Sequence, residues 1–364
     1  MQPAVPFSEF SCCAVPCPRV ARACNPGRIC LVSVATPRER PRTCGAGGIH
    51  PDLHSRKMRL ALSTCWNSSR HDTGEAMLDE IGSLGFDTVE LGYALTFTQS
   101  DGVRRRLASG AVKVCSVHAF CPNPVPGGGA GPEPFSICDP ADFKRRRNGI
   151  AHVLESARFA SELGVPRMVL HAGRVPVFRA ARRLDMLVYE GCRREKPEKY
   201  DRKLARFLDK RARKARKPLD TLYASLEELL PEMRKLGVTL CLENLPTADG
   251  CPDETEMAQL LRDFEGEPLA YWHDAGHGQR RHELGLIHHA GVVKRFGPHI
   301  GGFHLHDVRP PLEDHMMPPG GIVDFSIFKP FAESDVPLVL EPRAARTAEE
   351  IRGAVEYLRQ VLGV

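Results

Sequence analysis

Four side chains that bind metals well each close a short apolar run: Glu243 after Thr239–Leu242, Asp274 after Leu269–His273, His304 after Ile300–Phe303, and Glu341 after Pro337–Leu340. Three carboxylates and an imidazole form a hard-oxygen set with one borderline nitrogen. That set suits a divalent cation such as manganese, magnesium, cobalt or zinc. The spacings are 31, 30 and 37 residues, so the four groups meet only if the fold gathers the ends of successive strands. A (β/α)₈ barrel does so: it spends roughly 31 residues on each β/α unit and carries its chemistry at the C-terminal ends of its strands.

The rest of the chain supplies the units such a barrel needs. Short β-branched or apolar runs at 59–64, 88–92, 114–119, 167–172, 239–244, 269–274, 300–305 and 337–341 read as strands. Amphipathic segments at about 74–84, 99–109, 146–163, 219–236, 253–264, 281–296, 324–332 and 347–361 read as helices. Gly85, Gly164 and Gly237 follow helices as left-handed terminators, and Pro166 reinforces the second stop. Strict alternation of eight strands and eight helices predicts an α/β fold, a TIM barrel over 58–364. Two connections are longer than usual: 121–142, with its Pro-Gly-Gly-Gly-Ala-Gly-Pro stretch at 126–132, and 174–217. Both follow strand ends, where a long loop serves as wall or lid.

Residues 1–57 are rich in Pro, Arg, Cys and Gly, lack periodicity and lack a signal-peptide h-region, so they read as a disordered leader or a mis-assigned start, with Met58 opening the folded part. Six of the 13 cysteines fall in this leader without a CxxC pair, which argues against a zinc knuckle. The later cysteines read as small buried hydrophobes in a reducing, cytoplasmic setting. No apolar run approaches the length of a membrane span. The formal net charge of +5 is divided: 193–217 carries 13 Lys/Arg against 4 Asp/Glu, the leader is net +5, and the remainder is net −9. The 193–217 segment is expected to be a basic helical insertion after strand four, with a solvated charged face. As a lid, its cations could instead hold a substrate phosphate.

Further candidates lie at or just past strand ends: His118, His171, His277, His315 and Arg343. His306 follows His304 by two and shares its strand face, so either histidine could complete the ligand set. Asp307 is expected to cap or orient, His273 to point away from the face of Asp274, and His282, His288, His289 and His299 to lie on the surface.

The chain resembles the xylose isomerase-like barrel superfamily, which includes sugar phosphate isomerases/epimerases, ketose 3-epimerases, inosose dehydratases and endonuclease IV. The resemblance spans about 59–361. It rests on Leu-Glu-Asn at 242–244, Asp-Ala-Gly-His at 274–277, His-Leu-His-Asp at 304–307, the Asp-His-Met-Met-Pro-Pro-Gly-Gly-Ile-Val-Asp-Phe run at 314–325, and Leu-Glu-Pro at 340–342. It implies that His304, three residues before Asp307, is the metal ligand rather than His306. It also implies a divalent-metal-dependent sugar or polyol isomerase or epimerase, with or without a phosphate on the substrate. In that reaction Glu243 and Glu341 exchange a carbon-bound proton through an enediolate. His277 and Arg343 would bind substrate oxygens, and His118 and His171 would line the opposite wall. The expected partner is a small carbohydrate; nucleic acid and membrane are not expected, and an oligomer is compatible with the sequence.

Three alternatives stand beside this reading. An endonuclease IV-like enzyme cutting at abasic sites with zinc would use His118, His171, His277 and Glu313-x-His315 as extra ligands, although that family has Asp where Glu313 stands. An inosose dehydratase-like lyase would share the ligands, and a non-catalytic binding barrel would keep the fold alone. No Gly-x-Gly-x-x-Gly sits between strand and helix, so a dinucleotide cofactor is not expected.

Overall fold

The computed structural model of the protein describes residues 60–124, 133, 135–139 and 143–363. The leader 1–57, the start at Met58 and the glycine-rich stretch 126–132 lie outside the described residues. Eight parallel strands close a barrel: β1 (Leu60–Ser63), β2 (Thr88–Leu91), β3 (Lys113–His118), β4 (Arg167–Leu170), β5 (Thr239–Glu243), β6 (Leu269–Asp274), β7 (Ile300–Leu305) and, after a two-stranded hairpin of β8 (Asp307–Arg309) and β9 (Glu313–Met316), β10 (Leu338–Leu340). β1 pairs with both β2 and β10, which completes the ring. All eight expected barrel strands form; the hairpin was not expected from the sequence.

The alternation of side chains along these strands sorts the core into two parts. Outward-facing residues such as Leu62, Val89, Leu170, Leu240 and Phe303 pack under the helices. Ala61, Val169, Cys241, Trp272 and Val339 fill the barrel interior. Trp272 occupies that interior because Gly302 on the neighbouring strand leaves room; a Cβ at Gly302 would fall 2.0 Å from the indole ring.

The outer layer holds α1 (Gly74–Ser83), α2 (Phe97–Ala108), α3 (Phe143–Glu162), α4 (Phe178–Tyr189), α5 (Cys192–Glu195), α6 (Pro197–Leu236), α7 (Glu254–Asp263), α8 (Ala275–Glu283), α9 (His289–Phe296) and α10 (Ala348–Leu362). Side-chain caps explain several starts: Thr73, Asp253 and Thr347 each accept a backbone N–H from the first turn.

Four helix expectations are corrected. The single helix expected at 281–296 is two, since α8 begins at Ala275 and Gly285 ends it with a φ of +70°. The helix expected at 324–332 is a 3₁₀ segment, Phe325–Phe331. Much of the connection 174–217 is helical, as α4, α5 and the first half of α6. The basic insertion and the helix expected at 219–236 form one 40-residue helix that runs through Pro218 and Pro231. A proline inside a helix costs about 3 kcal/mol; burial of Leu222, Leu226, Leu229, Leu230 and Met233 on one face offsets it, at roughly 1.5–3 kcal/mol per large apolar side chain.

Candidate active site

The period of two that fills the barrel also aims its mouth. Two residues beyond interior Cys241, Trp272 and Val339 stand Glu243, Asp274 and Glu341, and two beyond Gly302 stands His304. These four expected ligands are buried, between 0% and 6% exposed. They converge on His304 Nδ1, which lies 3.4 Å from Glu243 Oε1, 3.5 Å from Glu341 Oε2 and 3.9 Å from Asp274 Oδ2.

Asp274 holds a second position in the fold. It is the N-cap of α8, with Oδ1 accepting the N–H of His277 at 2.6 Å. The cap sets His277 on the first helical turn, where its Nδ1 lies 2.9 Å from the Asn244 carbonyl and 3.3 Å from Glu243 Oε1. Gly276 is required between them, because a Cβ there would sit 2.0 Å from the His306 ring. The Asp-Ala-Gly-His sequence is thus a cap, a close approach and a site residue in one turn.

His306 is not an idle competitor of His304. It is fully buried, and its Nε2 lies 2.9 Å from Asp274 Oδ2, so it supports the same carboxylate from behind. Its Nδ1 accepts the His315 N–H at 2.9 Å, and the two rings stack at 3.9 Å. His315 arrives on the β8–β9 hairpin and is the one non-glycine residue with positive φ (55°) among the described residues. Asp307 orients the chain below it, accepting N–H groups of Val308, Gly321 and Val323.

On the opposite wall, Glu243 Oε2 faces His118 Nε2 at 3.3 Å and His171 Nε2 at 3.1 Å. Glu243 therefore presents one oxygen to His304 and His277 and the other to His118 and His171. Arg343 stands at the rim, half-exposed, and donates to Asp314 at 2.5 Å. A cavity of about 630 Å³ opens over these residues and is also lined by Tyr93, Glu133 and Arg174.

The electrostatics balance buried negative charge against imidazole. Burial disfavours the Glu243 anion, but His171 and His304 overcome it and hold the carboxyl well below its usual range. Burial likewise opposes the Glu341 anion, yet His304 and His315 bring its pKa to about 2. Asp274 is held low against burial by His277 and His306. In return, His304 is raised well above its usual value by Glu341, Glu90 and Glu243 despite burial. His171 and His315 are each pushed up to about 10 against burial, chiefly by Glu243 with Glu133 and by Asp314 with Glu341.

Several groups that face one another lack a well-formed hydrogen bond. His304 Nδ1, His171 Nε2 and Glu243 Oε2 are buried polar atoms without one. Leaving such atoms unsatisfied costs about 1–3 kcal/mol each. A divalent cation among Glu243, Asp274, His304 and Glu341 would satisfy the lone pairs and supply the positive charge that imidazole protons otherwise bring to the carboxylates, so the donor set fits a metal. The groups Glu243/Asp274/His277 and Asp274/His306/Glu341 each bring three donors within 4.8 Å of one another, as do His118/Glu243/His304 and His277/His306/His315.

Four participants were missed in the sequence. Glu90 is fully buried, accepts from Ser116 Oγ at 2.8 Å, and places both oxygens 3.1 Å from His304 Nε2. Its signal was available, since it lies in the strand candidate 88–92. Asp314 bridges Arg280, His315 and Arg343 and stood next to His315 in sequence. Glu133 binds His171 Nδ1 and takes a two-pronged contact from Arg174; nothing in its glycine- and proline-rich surroundings marks either partner. His273 points away from the site as expected, but His289 is buried rather than on the surface, with its Nε2 2.9 Å from His273 Nε2. His289 opens α9, and Phe328 packs against both rings of the pair. His282 is half-buried, while His288 and His299 are exposed. Glu313 is paired with Arg309 at the surface and does not join His315.

The closed parallel ring of eight strands with flanking helices is a TIM barrel, and its mouth is lined by acids and histidines. The sequence pattern of the xylose isomerase-like TIM barrel family matches residues 78–361, and the chain belongs to that family. Solved structures of similar fold include 3-keto-D-glucoside 4-epimerase from E. coli, at 17% identity over 84% of this chain and 100% of that one with a TM-score of 0.59. D-psicose 3-epimerase from Clostridium cellulolyticum H10 is similar at 13% identity, over 84% and 99%, with a TM-score of 0.58. A D-tagatose 3-epimerase-like protein is similar at 16%, over 84% and 98%, with a TM-score of 0.59. Likeness at these identities speaks to the fold. No curated protein sequence matches the chain.

Proposed function

We propose that the protein is a divalent-metal-dependent isomerase or epimerase of a sugar or polyol. The observation that carries this reading is the pair Glu243 and Glu341, which approach His304 Nδ1 at 3.4 and 3.5 Å beneath a cavity of sugar size. The epimerase and isomerase names among its structural neighbours agree with it. Glu243, Asp274, His304 and Glu341 would hold the metal, which when bound polarises a carbonyl and stabilises negative charge on the adjacent oxygen. Glu243 and Glu341 are held ionised, so either can accept a proton from the carbon next to that carbonyl, and the other, on the far side of His304, can return one. Return on the opposite face inverts the carbon. Arg343 and His315 at the rim, with Arg174 and Tyr93 across from them, donate to substrate hydroxyls. The buried Glu90 carboxylate takes the Nε2–H of His304 and fixes its ring.

The test is incubation of the purified protein with manganese and a panel of ketoses and hydroxy-ketones in deuterated water. Deuterium at a substrate carbon, lost in Glu243→Gln, supports the reading; no exchange on any substrate sinks it.

A second reading, a multi-metal phosphodiesterase, has one observation in its favour. Glu243 offers its two oxygens to separate histidine groups, as a bridging carboxylate would. Nicking of an abasic duplex without carbon–deuterium exchange would select it.

A further inference from the structure

The basic segment is more ordered in its charge than its composition reveals. At about 100° per residue, the positions of α6 between 197 and 217 that lie within about 60° of Lys199 on the helical wheel are Lys199, Arg202, Lys203, Arg206, Lys210, Arg213, Lys214 and Lys217. Every one is cationic. Tyr200, Phe207, Arg211, Ala215 and Pro218, about 80–160° round the wheel from Lys199, form the buried side. Glu198 and Asp209 fall on one flank of this stripe, and Asp201 lies nearly opposite it. Arg213 pairs with Asp209; the other seven have no acidic partner among the described residues. Apart from half-buried Lys203, the stripe is exposed.

We infer that this stripe is a docking surface for the phosphate backbone of a nucleic acid, separate from the barrel mouth and independent of the reaction proposed there. Three observations carry it. The nineteen helical residues from Lys199 to Lys217 span about 27 Å, and a nucleic-acid strand presents a phosphate about every 3.4 Å along the duplex axis, so the row can face several phosphates at once. The charge has one sign along its whole length, which a solvated helix does not need. The apolar side chains Tyr200, Phe207 and Ala215 are already buried in the protein, and Leu208 alone is a large apolar side chain exposed along this stretch, so α6 offers a bilayer no apolar face of the kind an interfacial helix inserts. Arg179, Arg182 and Arg183 on the adjacent α4 are also exposed and extend the positive field. Lysines and arginines on a rigid rod contact phosphate rather than base edges, so recognition is independent of sequence.

The experiment measures fluorescence anisotropy of a labelled 25-base-pair duplex and of a single-stranded RNA with the full-length protein. If about five phosphates are neutralised, affinity falls about 500-fold between 50 and 200 mM salt. The quadruple variant Lys199→Glu, Arg206→Glu, Lys210→Glu, Lys217→Glu should lose at least 100-fold at 50 mM salt. A charge-matched control elsewhere, Lys294→Glu, Lys329→Glu, Arg352→Glu, Arg359→Glu, should lose under 10-fold. Thermal melting checks that both fold, and the corresponding alanine variant of the stripe replaces the first if it does not. The inference is overturned by absence of binding to both probes at 50 mM salt, by equal losses in the two charge variants, or by tighter binding to phosphatidylserine vesicles or polyglutamate than to either nucleic acid.

Discussion

Replacing Glu90 by glutamine should weaken metal binding without touching any of the four groups that would hold the metal. Glu90 is fully buried, and its two oxygens lie 3.1 Å from His304 Nε2 while Ser116 Oγ donates to it at 2.8 Å. With Nδ1 of His304 directed at Glu243, Asp274 and Glu341, the ring proton belongs on Nε2, and the Glu90 carboxylate both fixes that tautomer and makes Nδ1 a better donor. A glutamine has the same shape but no charge, and one rotamer turns its NH₂ toward Nε2–H. Loss of such a supporting partner typically lowers metal affinity 10- to 100-fold, or about 1.4–2.7 kcal/mol. Manganese or zinc titration by calorimetry on wild type and Glu90→Gln measures this directly, with the melting temperature of the metal-free proteins as a control for packing. Equal dissociation constants would refute the reasoning and leave Glu90 as a core polar residue satisfied by Ser116.

Glu243→Gln should abolish bound metal, read by elemental analysis after dialysis, whereas His282→Ala, whose side chain lies outside the site against the Ile287 carbonyl at 3.2 Å and the His288 ring, should keep it; identical metal content in both variants would contradict the assignment. Arg281 is buried and makes two 2.6 Å contacts with Glu254 plus one to the Thr247 carbonyl. Arg281→Met should therefore cost about 3–5 kcal/mol in urea unfolding, and adding Glu254→Leu should restore most of it, because the penalty is an unpaired buried charge. His289 is held down to about 4, first by burial and then by His282 and His288. Its folded pKa lies below the unfolded value, so its contribution is full above about pH 6.5 and is lost as pH falls toward 4. That loss is about 3 kcal/mol, and His289→Gln should flatten the pH dependence of unfolding by a comparable amount; an unchanged slope would exclude it.

The barrel was legible in the sequence because the signals that build it are local. A strand interior such as Leu240–Leu242 declares itself by side-chain type, a helix end such as Gly237 by its turn chemistry, and the repeat of about 31 residues by counting. Glu243, Asp274, His304 and Glu341 were legible for the same reason: each breaks an apolar run at its end, and the strand period of two then fixes the face. Other features depend on groups far apart in the chain. Glu90 and His304 are 214 residues apart, and Glu133 and Arg174 41 apart; neither member of either pair identifies the other. The β8–β9 hairpin that delivers Asp314 and His315 has no apolar alternation to announce it. His289 looked like a surface residue because helical periodicity does not say what covers a helix. The division follows from the range of the forces. Backbone preference and alternation act within a few residues and can be read along the chain, whereas the pairing of buried charges is decided by which atoms the closed barrel brings within about 4 Å.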